Sequence, residues 1–292
     1  MYDFESYTKA ESVSHAIQLL QENPQARLIA GGTDVLIDLH EGEDEFRHLV
    51  DIHDVSDLQQ ISLTDAGDLV IGSGTTFTAL AESHDISECV PMLAEMIPTF
   101  AGPQLRNMAT IGGNICSGMT SADSAPALFT LNAVLTIEGA NGQRTIPIED
   151  FYKGPGKVAI ESHEVLTAIT ISRDNYEGLY GYYYKYAMRD AMDIATIGCA
   201  ALCKVKDGVL EDLRIAYGVA GPVPVRCKKG EAYGMGQKIS KDLLIEISEI
   251  VPKDLNPRSS WRASKEFRLH IIKTLASRVI EKAIVKAGGK IE

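Results

Sequence analysis

The chain has 292 residues, 45% of them apolar and 23% charged, which suits two packed cores in an ordinary globular protein. A formal net charge of -12 disfavours nucleic acid or an anionic membrane as partner, because the long-range field repels polyanions, and no apolar run approaches the ~18 residues of a bilayer span. The acidic N-terminus does not resemble a secretory signal, and the scattered Cys89, Cys116, Cys199, Cys203 and Cys227 fit reduced thiols, so a cytoplasmic protein with no disulfide framework and no metal site is expected.

In chain order, SVSHAIQLLQEN predicts a helix capped by Ser12, with Val13, Ala16, Ile17 and Leu20 on one face. RLIA reads as a buried strand, the segment after Gly31 and Gly32 as a short helix, and HLVDI (48–52) as a second strand. From Ile61 a strand leads through Gly72-Ser73-Gly74 into a helical stretch, followed by a longer helix around 91–100. Two alternating runs, 134–137 and 144–148, flank Asn141-Gly142, a two-residue hairpin signal. Residues 182–219 read as a three-strand meander turning at Asp207-Gly208, with Cys199 and Cys203 as core residues of the apolar stretch TIGCAALCKV. The remainder is helical. Phe267, Ile271, Leu275 and Val279 form one stripe, with Ser259-Ser260-Trp261 as cap and staple. Polar residues near Asn175 place a domain boundary there.

Two glycine pairs carry the chemistry. In RLIAGGTDVLI, one glycine suits a positive φ and the other a close approach, while Thr33 offers a hydroxyl and Asp34 opens a helix whose first free N–H groups it can cap. Thr110, Ile111, Gly112, Gly113 and Asn114 repeat those ingredients, and two loops rich in N–H groups suit a pyrophosphate. Neither a P-loop nor a dinucleotide fingerprint is present, since Gly72-Ser73-Gly74 lacks the third glycine.

LIAGGTDVLI, AGPQLRNMATIGGNICSGMTSADS, YYYKYAMRDAMDIA and SSWRASKEFR, in that order, resemble the flavoprotein subunits of molybdenum hydroxylases, the CO dehydrogenase medium-subunit family, and most closely the FAD-binding subunits of bacterial xanthine dehydrogenases. The resemblance spans essentially the whole chain. It implies an α+β fold of the vanillyl-alcohol-oxidase type, with a FAD-binding domain over 1–175 (subdomains 1–57 and 58–175). A C-terminal domain with a three-stranded antiparallel sheet and helices follows over 176–292. It further implies that Leu28, Ile29, Ala30, Gly31, Gly32, Thr33, Asp34 and Val35, together with residues 110–114, hold the FAD diphosphate and ribityl chain. Phe100 matches an aromatic FAD contact, Asp123 a FAD-binding carboxylate, Leu166 a backbone contact, and Lys185 a basic residue near the flavin, in a context that retains Tyr184 and Arg189. Read without the resemblance, Phe100 is equally a core residue, Asp123 a helix cap and Lys185 a solvated strand residue.

The implied function is electron transfer. A molybdopterin subunit oxidises xanthine or a similar heterocycle, a 2Fe-2S subunit relays electrons, and non-covalently bound FAD in this chain passes them to NAD. The alternatives are a self-sufficient flavin oxidoreductase of the same fold, which requires its own substrate pocket and base, and a scaffold whose glycines only make turns.

Overall fold

A computed structural model describes residues 3–291. Ser6–Lys9, Arg27–Ile29 and His48–Asp51 form a parallel sheet with the last strand in the centre. The helix Val13–Glu22 begins where Ser12 accepts a hydrogen bond from the His15 N–H, and it buries Ala16, Ile17 and Leu20. These residues pack with Val50, Leu58 and Val165, which joins the small parallel sheet to its larger neighbour.

That neighbour is a five-stranded antiparallel sheet in the order Ile61–Leu63, Leu69–Gly72, Val165–Ile171, Val134–Gly139 and Gly142–Pro147. The hairpin turns one residue earlier than expected, at Ala140-Asn141, because Gly139 pairs with Gly142. Gly142 has φ 106°, so the glycine serves the strand side of the turn. The long helix expected around 91–100 is a short one, Pro91–Met96, followed by a 3-10 turn, Ile97–Thr99. Pro98 explains the break, since it has no N–H to continue the helical ladder.

Tyr180–Tyr186, Ile197–Lys206 and Val209–Gly218 form the expected meander, with Asp207 (φ 50°) and Gly208 (φ 76°) at one turn. A fourth strand, Val225–Arg226, extends the sheet beyond the three expected; two residues after Pro222 and Pro224 are too short to show a periodic pattern. Both faces of this sheet are covered. Ile197, Cys199, Ala201 and Cys203 join the core under the C-terminal helices, whereas Ala200 and Leu202 join the core of the preceding part. Alternate side chains leave opposite faces, so double burial demands apolar residues at consecutive positions and explains the unbroken TIGCAALC run.

The outer cover consists of Lys241–Ile250 and Lys265–Lys286. Ser264 caps the long helix by accepting from the Phe267 N–H; Ser259 accepts from Lys265 instead, and Trp261 is 77% exposed under the Arg262 guanidinium. The expected stripe is only half buried: Phe267 is exposed, while Ile272, Leu275, Ala276 and Val279 face the core. A strict i, i+4 row advances ~400° per step and so drifts round the helix. Buried Arg226 ties the two halves of the chain together, donating to Glu231 at 2.6 and 2.9 Å, to the Phe129 carbonyl at 3.0 Å and to Asn132 Oδ1 at 2.7 Å. Among the described residues no helix is long and apolar enough to cross a membrane.

Candidate cofactor-binding site

The strand Arg27–Ile29 ends in a turn that enters the helix Val35–Glu41. Its two glycines do different work. A Cβ on Gly31 would lie 1.9 Å from the Met108 carbonyl oxygen and 3.0 Å from Ala109 Cα, so only a bare Cα lets this turn touch the backbone just ahead of Thr110. Gly32 has φ 68°, a left-handed conformation that side chains disfavour. Among the described residues, none accepts a hydrogen bond from the N–H of Gly31, Gly32, Thr33 or Asp34, and the Thr33 hydroxyl has no partner either. Successive unpaired N–H groups of this kind make a cradle for an anion. Asp34 stands at the N-cap position but its side chain makes no cap hydrogen bond, contrary to expectation. Although the residue is exposed at the surface, desolvation by the surrounding protein, followed by the charge of Asp38, pushes its carboxyl pKa up.

The second loop is built differently. Thr110 caps the helix Ile111–Cys116 by accepting from the Gly113 N–H at 3.1 Å. Ile111 donates to the Thr75 carbonyl at 3.0 Å, Gly112 to the Ser73 carbonyl at 2.8 Å and Asn114 to the Thr110 carbonyl at 3.0 Å. The expectation of two donor-rich loops is therefore corrected: these N–H groups are already engaged. Gly112 is a packing glycine, since its Cβ would meet Ser73 Cβ at 2.5 Å. Gly113 is exposed and meets only Thr110 Oγ1, so it presents bare backbone to the outside. Asn114 accepts the Ser124 hydroxyl through Oδ1 at 2.6 Å, which leaves its Nδ2 as the donor of this loop.

Ser73 is the bracket behind the loop. Its N–H donates to the Thr167 carbonyl at 3.0 Å, its hydroxyl to the Leu166 carbonyl at 2.6 Å, and its own carbonyl accepts from Gly112. Leu166 is thus brought next to the second loop, but through Ser73. As a nucleotide motif Gly72-Ser73-Gly74 is incomplete; the signal it does carry is a serine between two glycines, which marks a tight three-way crossing.

A buried polar cluster completes the site. Asp123 precedes the helix Ser124–Thr130 yet makes no cap hydrogen bond. Its carboxylate accepts instead from Lys185 Nζ at 2.8 Å and from the Tyr183 hydroxyl at 2.9 Å, and Lys185 also donates to the Thr99 carbonyl at 3.3 Å. Burial pushes the Asp123 carboxyl up, against the pull of Lys185 and Tyr183. With 6% of its side chain exposed, Lys185 is not a solvated strand residue. Phe100 is 3% exposed, edge-on to Phe77 at 5.1 Å and to Tyr183 at 6.3 Å, so its ring belongs to the core beside this cluster. Arg189 stays within its own turn, donating to the Met192 carbonyl. The site therefore assembles the first loop against Met108, the second loop against Ser73 and Ser124, and Asp123 with Lys185.

Residues 2–173 match the family described as FAD binding domain in molybdopterin dehydrogenase, and residues 182–283 match the CO dehydrogenase flavoprotein C-terminal domain. The chain belongs to this flavoprotein family. A xanthine dehydrogenase FAD-binding subunit of Escherichia coli O157:H7 is 49% identical over 292 residues, covering 100% of both chains. The carbon monoxide dehydrogenase medium chain of Hydrogenophaga pseudoflava is 27% identical over 278 residues, 95% of this chain and 96% of that one. The crystal structure of quinoline 2-oxidoreductase from Pseudomonas putida 86 matches with a TM-score of 0.93 at 28% identity, covering 98% of this chain and 99% of that chain. The α+β fold of the vanillyl-alcohol-oxidase type with a C-terminal sheet-and-helix part is the one observed, its last sheet having four strands.

Proposed function

We propose that this chain is the FAD-binding, electron-transferring subunit of a xanthine dehydrogenase-type molybdenum hydroxylase, with FAD held non-covalently. The observation that carries the reading is the run of unpartnered N–H groups at residues 31–34, seated against the backbone that leads into the second glycine loop. Those donors and the Thr33 hydroxyl would hold a diphosphate, flanked by Leu28, Ile29, Ala30 and Val35. Gly113 leaves room for the cofactor to lie on bare backbone, and Asn114 Nδ2 offers it a donor. Lys185, fixed by Asp123 beside Phe100, would place a cation near the flavin; Leu166 supports the second loop from behind.

FAD, when bound, supplies the exchange between one-electron carriers and a two-electron nicotinamide. The residues named above bind and orient it. The partners in this reading are a molybdopterin subunit and a 2Fe-2S subunit, the acceptor is NAD, and the compartment is the cytoplasm. The division near residue 175 separates the FAD-binding part from the part that stacks the four-stranded sheet against it. The full-length 49% identity to a xanthine dehydrogenase FAD-binding subunit supports xanthine over other heterocycles.

The test uses the single chain and the reconstituted complex. The purified chain should carry one FAD that acid precipitation releases, and should oxidise NADH with an artificial acceptor without turning over xanthine. Adding the two partner subunits should restore xanthine-dependent NAD reduction. Purine turnover by the single chain, or no stimulation by the partners, would instead identify a self-sufficient oxidase.

A further inference from the structure

Tyr183 touches both the charged pair and the aromatic residue assigned to the flavin site. It lies on Tyr180–Tyr186 two residues before Lys185, so the two side chains leave the same face of the strand. The residue is 6% exposed, and its ring stands edge-on to Phe100. A Cβ on Gly198, in the neighbouring strand, would lie 3.1 Å from the Tyr183 hydroxyl oxygen, so the absence of a side chain there keeps the slot open for the phenol. From that slot the hydroxyl donates to Asp123 Oδ1 at 2.9 Å, while Asp123 Oδ2 accepts from Lys185 at 2.8 Å. The carboxylate is gripped at both oxygens. It makes no helix-cap bond, so among the described residues these two contacts define its orientation.

We infer that Tyr183 is a positioning residue of the flavin site, whose hydroxyl orients the Asp123 carboxylate and thereby holds the Lys185 ammonium in place. The inference rests on the FAD reading above. Without the hydroxyl, one buried carboxylate oxygen has no donor, a costly state that a proton relieves. Burial already favours the protonated form of Asp123, and a neutral Asp123 no longer anchors Lys185 by charge. The titratable groups facing Asp123 are Lys185 and Tyr183, and Cys199 faces Tyr183 from the next strand. Burial raises Tyr183 well above its ordinary value and Cys199 to about 12, which leaves Asp123 as the group that changes charge on the acid side.

Tyr183→Phe keeps the ring and removes only the hydroxyl, and Tyr180→Phe at the exposed start of the same strand is its control. FAD affinity of the apo chain is measured by flavin fluorescence quenching from weakly acidic to weakly alkaline pH, with thermal melting of each variant alongside. Tyr183→Phe should bind FAD about tenfold more weakly, and its binding should fail at a higher pH than in the wild type as the solution is acidified. Tyr180→Phe should match the wild type in both. Unchanged affinity in Tyr183→Phe, or a loss that is equal at every pH, overturns the inference and leaves the FAD reading standing. A wild-type chain that binds no FAD overturns the FAD reading itself. Should Tyr183→Phe fail to fold, Asp123→Asn decides: its FAD binding should lose the acid-side pH dependence, and retention of the wild-type profile overturns the inference.

Discussion

The two glycine loops are alike in composition and opposite in construction. At residues 31–34 four N–H groups have no acceptor among the described residues, whereas at residues 111–114 all four have one. The cause lies in what each turn packs against. The first crosses a backbone that meets it at Gly31 and leaves its donors unused. The second begins a helix capped by its own Thr110 and is bound to the carbonyls of Ser73 and Thr75. A glycine pair followed by a small polar residue therefore marks close backbone approach; whether it also marks donors for an anion depends on the acceptors that the rest of the fold brings up.

Gly31→Val should have the largest effect. Its Cβ would fall 1.9 Å from a carbonyl oxygen that is part of the facing backbone, so the loops must separate. Both FAD and several kcal/mol of stability should be lost, beyond the ~1 to 3 kcal/mol usual for overpacking; a melting temperature near that of the wild type would break the account of how the loops meet.

Lys185→Ala should come next, costing about 3 to 5 kcal/mol at neutral pH because Asp123 is left buried without a counter-charge, held by the Tyr183 hydroxyl alone. The sign follows from the raised Asp123 pKa: its contribution to stability is fully present below the ordinary carboxyl range and is lost as pH rises through the raised value. Urea unfolding of the variant should therefore show a larger gain on acidification than the wild type, and equal pH slopes would refute the pairing.

Gly113→Val separates binding from folding. The residue is exposed and its Cβ would meet only Thr110 Oγ1 at 3.0 Å, so FAD binding should fall strongly while the melting temperature moves little beyond the cost of a branched residue near a helix start. Undiminished flavin binding in the folded variant would remove Gly113 from the site.

The finest test crosses two threonines. Thr110→Val deletes a helix cap and should cost ~1 kcal/mol of stability. Thr33→Val deletes a hydroxyl that no described residue uses, and should weaken FAD about tenfold with stability unchanged. Paired melting and flavin titrations decide it: the same pattern in both variants would erase the distinction between the loops.

Much of this arrangement was legible residue by residue. The division of labour between Gly31 and Gly32, the Ser12 cap and the Asp207-Gly208 turn follow from rules that act within a few residues. The misreadings share a cause. Asp34 and Asp123 look like caps, and Ser259-Ser260 like a helix start, because local pattern ranks candidates without knowing which competing partner is nearer. Asp123 is claimed by Lys185, 62 positions away, and Ser259 gives way to Ser264.

By itself the sequence determined most of the elements, the places where backbone must pass close, and, through its ordered motifs, the flavoprotein family. The elements and the close approaches depend on side-chain volume, φ preference and periodicity, which each residue carries with it; the family rests on the resemblance of the ordered motifs. Only the tertiary structure decided which N–H groups remain free, that Ser73 holds Leu166 to the second loop, and that Tyr183 shares Asp123 with Lys185. Hydrogen-bond satisfaction is a property of pairs, and these partners are brought together by strands that are distant in the chain.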